Sequence, residues 1–329
     1  MIDASNFLHL PYTADLSQGG IAWALHSLPH AYTYHRAGSS PYDGLRQAVA
    51  RGAVELAFRR YLAEQGIPFE IKGAAPFTEP DRYDVILGGR RCDIKTFLIS
   101  HREQLSQIRG DPQALLRAPA LVASDQHAGT GHSRHDLYLF AFLSGLLAAS
   151  IHEQQKAVEA GQPYYLVHVM PETWSRPAGW RPLGRLVLKS ESDEKQTVEL
   201  AGHDRGRGVR SCTVELPART RVELETDLFS LIYLHIKASP AARIGIHAPM
   251  RHETHLIGAL EWGNIWVYGL EILLAGYMPY EEFRRRASFL SAGAPVFQYP
   301  YTHEKSLSVP VSDLRPLAEL FERMKSWRA

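Results

Sequence analysis

Two cysteines in 329 residues, Cys92 and Cys212, are too few for a disulfide framework or a cysteine-built zinc site, and they suit a reducing compartment. Charge of one sign is scarce as well. The 36 Lys and Arg against 35 Asp and Glu leave a net charge of +1, so any nucleic-acid surface must be local rather than chain-wide. Long apolar runs are missing, and the longest, Leu137–Ser150, falls short of the ~20 residues that span a bilayer. No membrane partner is therefore expected. The opening residues, Met1 to Phe7, show no basic segment followed by an apolar one, so no signal peptide is expected and the expected location is cytoplasmic. Repeats and low-complexity segments are absent. What remains is ordinary globular material, 45% hydrophobic and 22% charged.

Helical periodicity runs from Asp43 to Gln65 and ends at Gly66-Ile67-Pro68. A short strand is expected at Phe69–Lys72, a hairpin at 84–95, and a partly helical Ser100–Arg117 broken at Gly110-Asp111-Pro112. Leu137–Leu143 reads as a buried strand leading into a helix through Ala160, and Tyr164–Val169 as another buried strand. This order predicts an α/β (α+β) fold with a mixed sheet and helices against it. Residues 1–42 show turn formers and aromatics but no legible role. After Met170, short alternating stretches such as Cys212–Leu216 and Leu231–Ile236 predict a β-rich module, followed by C-terminal helices near Pro279 and at Leu314–Trp327. The expected division is 1–170 and 171–329.

The most informative stretch is Asp84-Val-Ile-Leu-Gly-Gly-Arg-Arg-Cys-Asp93-Ile-Lys95. Gly88-Gly89 suits a two-residue hairpin turn because both positions can take φ > 0. Folding on that turn pairs Val85 with Cys92 and Asp84 with Asp93, the latter at a non-hydrogen-bonded position where opposed Cα atoms lie roughly 4.5 Å apart. Two carboxylates that close need a cation between them. Lys95, two residues past Asp93, shares its face. Asp81, in Glu79-Pro80-Asp81, competes for the first acidic position, but pairing geometry favours Asp84. The plain alternative is a pair of solvated acids with Lys95 neutralising one of them. Glu55 shares a helical stripe with Phe58 and Leu62 and can reach the same place; its alternative is an i,i+4 pair with Arg59.

Glu55, then Asp84, then Asp93-Ile94-Lys95 resembles the PD-(D/E)XK, or restriction-endonuclease-like, nuclease superfamily. The resemblance covers residues 43 to about 145 and implies that superfamily's αβββαβ core. It implies Asp84 and Asp93 as ligands of Mg²⁺, with Mn²⁺ able to replace it, Glu55 as an auxiliary ligand, and Lys95 as the residue that orients water and stabilises the transition state. It further implies double-stranded DNA as substrate, a role in restriction or defence, and a homodimer or a subunit of a defence complex. A nuclease-like fold that binds DNA without cutting it is the first alternative.

Other residues attract weaker readings. Gln126 follows a strand candidate and could contact the scissile phosphate, with a capping or loop role as the alternative. His127, His132 and His135, with Asp136, could bind zinc, which makes a zinc hydrolase the second alternative. His252 and His255 form a weaker pair. Arg205, Arg207 and Arg210, set among glycines, suit backbone phosphates as well as a solvated turn.

Overall fold

The structure is a computed structural model that describes residues 2–31, 40–71, 84–128, 132–237 and 242–326. Strand β1 (Leu8–Pro11) is followed by helices α1 (Ala14–Ala31) and α2 (Pro41–Glu64), then β2 (Glu70–Ile71), β3 (Val85–Leu87) and β4 (Arg90–Ile99). Next come α3 (Arg102–Gly110), a 3₁₀ turn at Pro112–Arg117, β5 (Pro119–Ala123), α4 (Ser124–Ala128) and β6 (Leu137–Leu147). The middle of the chain holds α5 (Ile151–Glu159), β7 (Leu166–Val169), α6 (Glu172–Ser175), β8 (Val187–Ser190), β9 (Gln196–His203), β10 (Val209–Leu216) and β11 (Arg221–Glu223). It continues with β12 (Ser230–Ile236), β13 (Ile244–Ala248), β14 (Glu253–Ile257) and β15 (Gly263–Asn264). The last elements are β16 (Val267–Pro279), α7 (Tyr280–Arg286), β17 (Ser288–Leu290), β18 (Ser306–Pro310) and α8 (Leu317–Ser326). Among the described residues no helix is long and apolar enough to cross a membrane.

Contacts divide the chain into two compact units, each discontinuous in sequence. One comprises Met1–Ala24, Gln47–Leu147 and Val267–Ala329; the other comprises Leu25–Arg46 and Ala148–Trp266. The expected single cut at residue 170 is therefore corrected. β7 belongs with the second unit because it pairs with β12, and the long strand β16 returns to the first because it pairs with β6 over most of its length.

The first unit is built on a six-stranded mixed sheet in the order β1-β16-β6-β4-β3-β2. All neighbours are antiparallel except β4 and β6, which run parallel with Asp93 beside Tyr138 and Lys95 beside Phe140. A parallel pair needs a long crossover, and α3 through α4 supply it. One face of this sheet buries Phe97, Phe140 and Phe142 against Leu105, Ile108, Leu115 and Phe283. Each such side chain contributes about 1.5–3 kcal/mol by burial. A separate three-stranded sheet, β17-β18-β5, completes the unit.

Helix α1 is the element least visible in the sequence, because Gly19-Gly20 and Pro29 read as helix breakers. Tertiary packing explains the glycines. A Cβ on Gly20 would stand 2.3 Å from the carbonyl oxygen of Val49, and one on Gly52 would stand 3.1 Å from Gly20 Cα. The two helices thus approach backbone to backbone, a spacing that only residues lacking a Cβ allow. This contact sets the position of α2, whose polar face enters the site described next.

The second unit has two antiparallel sheets, β10-β9-β12-β7-β15 and β11-β8-β13-β14. They share a core that includes Leu188, Leu200, Leu234, Ile246 and Trp262.

Candidate functional site

The hairpin forms on the expected turn. Gly88 and Gly89 take φ of 53° and 71°, and β3 pairs with β4 through Leu87–Arg90, Ile86–Arg91 and Val85–Cys92. There the ladder stops, one pair short of the expected Asp84–Asp93 opposition. The Asp84 N–H donates to the Cys92 carbonyl at 2.8 Å, and its Oδ2 accepts the Ile94 N–H at 2.6 Å. Asp84 therefore caps the edge of β4 with its side chain instead of facing Asp93. The reason is electrostatic: directly opposed carboxylates repel, and each acid has taken a cation of its own.

For Asp84 that cation is Arg51 on α2, whose Nη2 lies 2.9 Å from Oδ1. Arg59, two turns further along α2, donates from Nη2 to the Asp84 carbonyl at 3.2 Å and is ion-paired with Glu55. The expected i,i+4 pair of Glu55 and Arg59 thus exists, and Arg59 ties Glu55 to Asp84. For Asp93 the cation is Lys95, with Nζ 2.7 Å from Oδ2. Lys95 also donates to Gln126 Oε1 at 2.8 Å and lies 5.6 Å from the centre of the Tyr138 ring. The side chains of Asp84 and Asp93 are 5% and 14% exposed, so neither is a solvated surface acid.

Charge converges on Arg51. Asp84 raises its pKa most, and burial opposes that effect; Asp93 and Glu55 raise it further. All three candidate carboxylates therefore act on one guanidinium. Burial raises the Tyr138 phenol above its usual range, and Asp93 adds to the effect. Sequence reading missed Arg51, the bond of Arg59 to Asp84, and Tyr138. A signal for the first two existed, since residues 51, 55 and 59 recur at four-residue spacing on a helix whose neighbours Val54, Phe58 and Leu62 are fully buried.

The carboxylates of the site are the donor type that a hard divalent ion takes. Carboxylate oxygens suit Mg²⁺, which is commonly held by one or two of them together with waters and substrate phosphates. Asp84 and Asp93 are the pair that would hold it, with Glu55 behind Arg59. Among the described residues, however, no three His, Cys, Asp or Glu side chains converge to hold a metal ion. Cations of the protein itself occupy the oxygens.

The histidine loop does not gather around a common point. His127 Nδ1 lies 3.2 Å from the Tyr138 hydroxyl, and His132 Nε2 lies 3.1 Å from the Gln126 carbonyl oxygen. His135 Nε2 accepts from Arg134 Nε at 3.1 Å. Tyr280 organises the segment by stacking on both His127 and His132, with ring centroids at 4.6 and 4.9 Å. Asp136 accepts the Ser133 N–H at 2.8 Å and meets Arg91 Nε at 3.3 Å. Asp81 lies outside the described residues. His255 meets His168 in the second unit, Nε2 to Nε2 at 3.0 Å, rather than His252.

The arginine segment forms the loop between β9 and β10. Asp204 Oδ1 accepts the N–H groups of Gly206 and Gly208, and Oδ2 accepts from Arg210 Nε at 3.0 Å. Arg207, at φ 64°, places its guanidinium 5.0 Å from the centre of the Trp180 ring. Arg205 is exposed. Of the three arginines, one is paired, one is stacked and one is open to solvent.

Comparison of the chain with family models, with curated proteins and with solved structures gives no match.

Proposed function

We propose that the first unit is a metal-dependent nuclease of the restriction-endonuclease-like kind, acting on double-stranded DNA. The observation that carries this reading is Lys95, held between Asp93 and Gln126 on the strand next to the one that leads in from the buried Asp84. The order of elements supports it: α2, then β2, β3 and β4 as consecutive antiparallel neighbours, then a helical crossover to the parallel β6, agrees with an αβββαβ core.

Asp84 and Asp93 are the residues to hold Mg²⁺, or Mn²⁺ in its place. When bound, the ion supplies a Lewis acid for the phosphoryl oxygens and lowers the pKa of a water. Lys95 brings an ammonium to where negative charge grows during phosphoryl transfer, and Gln126 holds that ammonium in place. Glu55 holds Arg59, which in turn bonds the Asp84 carbonyl. In the second unit, Arg205 and Arg207 offer cations to backbone phosphates. A contribution to restriction or defence follows from the resemblance.

One observation favours a rival reading, a nuclease-like fold that binds DNA without cutting it: each acid already has a cation from the protein. Incubation of supercoiled plasmid with Mg²⁺ or with EDTA separates the two. The nuclease reading expects nicked or linear product with Mg²⁺ alone. Binding in a gel-shift assay without cleavage in Mg²⁺ or Mn²⁺ supports the rival.

A further inference from the structure

Arg51 holds the buried Asp84 carboxylate through one nitrogen while part of its side chain stays exposed. Two surface arginines of this chain grip an acid with two nitrogens, Arg243 on Glu191 at 2.8 and 3.2 Å and Arg284 on Glu281 at 3.2 and 2.8 Å, whereas others such as Arg210 on Asp204 use one. Arg51 makes a single hydrogen bond to Asp84, from Nη2, and its buried Nε has no hydrogen-bond partner among the described residues. A fork left half-used is a weaker hold. Meanwhile Asp84 is anchored by its other oxygen, Oδ2, on the Ile94 N–H. Oδ1 is thus the oxygen that points away from the strand, and Arg51 holds it. The Arg51 side chain is also 35% exposed. Its guanidinium carbon lies 5.7 Å from the centre of the Trp23 ring, a π face that keeps a cation favourable once it leaves the acid.

We propose that Arg51 is the resident counter-cation of the carboxylate site and competes with a divalent metal ion for Asp84 Oδ1. The inference rests on the reading of Asp84 and Asp93 as metal ligands and adds a regulatory consequence to it. Without metal, Arg51 neutralises the buried Asp84 carboxylate. With metal, Arg51 leaves Oδ1 and its charge becomes available to an incoming phosphate. Metal affinity is therefore set against an internal competitor and stays weak until nucleic acid gives Arg51 a better partner.

The test is calorimetric titration of Mn²⁺ into the full chain without nucleic acid. Arg51→Gln is expected to tighten Mn²⁺ binding about tenfold or more, since it removes a positive charge within a few ångströms of the ion. Asp93→Asn is expected to weaken binding in both backgrounds. Unchanged affinity in Arg51→Gln, with wild-type binding still dependent on Asp93, overturns the competition and leaves the nuclease reading standing. Absence of Mn²⁺ binding in every protein overturns both. Removal of one partner of a buried pair destabilises, so a second measurement covers a Gln variant that fails to fold. In the wild-type chain, the NMR signal of the Arg51 Nε–H, identified by its loss in Arg51→Lys, is expected to shift in step with Mg²⁺ binding. Saturation with Mg²⁺ while that signal stays fixed overturns the proposal.

Discussion

Lys95→Ala is expected to lower the rate of Mg²⁺-dependent DNA cleavage by about 10²–10³-fold, the usual consequence of losing one preorganised charge at a transition state. The argument starts from three contacts. Lys95 Nζ reaches Asp93 at 2.7 Å and Gln126 at 2.8 Å, and the Tyr138 ring lies beside it. Such fixation costs nothing further when the phosphate arrives, which is why a held ammonium outperforms a mobile one. Single-turnover plasmid cleavage measures the effect, with circular dichroism to show that the variant is folded. Gln126→Ala is expected to act in the same direction and more weakly, since it loosens Lys95 without removing the charge. Equal cleavage rates in wild type and Lys95→Ala would remove Lys95 from the chemistry.

The second large effect concerns the scaffold. Gly20→Ala places a methyl 2.3 Å from the Val49 carbonyl oxygen. Backbone cannot swing aside as a side-chain tip can, so α1 and α2 must separate. A loss of about 2–3 kcal/mol is expected, as for an overpacked core. Gly44→Ala is the control. A Cβ there meets nothing within 4 Å, and alanine is the better helix former, so a gain of about 0.5–1 kcal/mol is expected. Urea denaturation of the two variants should give midpoints displaced in opposite directions. If both shift the same way, the close approach of the two helices does not limit stability.

Local chemistry was legible in the sequence wherever it alone decides structure. The Gly88-Gly89 turn, the break at Gly110-Asp111-Pro112 and the buried run from Leu137 all form where periodicity and turn chemistry place them. Long-range effects were not legible. Helix α1 hides behind glycines that serve a contact with a segment some thirty residues away, and local propensity penalises them. The break at residue 170 marks a change of texture, whereas the division of the units follows β16, whose partner β6 lies more than a hundred residues earlier in the chain. In the site, the acids and Lys95 were nameable because their types and spacing carry meaning. The partners of Asp84 were harder to find. Arg51 and Arg59 look like solvated helix charges until the fold brings Asp84 against them, and the expected opposition of Asp84 and Asp93 gave way because two carboxylates lower their energy by taking separate cations.

Anomalous diffraction from crystals soaked in Mn²⁺ tests the shared-ion claim most directly. The expected map has a peak within coordination distance of both the Asp84 and Asp93 carboxylates, with Lys95 still on the same strand face beside it. A map with Mn²⁺ bound only elsewhere, and Arg51 still seated on Asp84 at saturating metal, would contradict it.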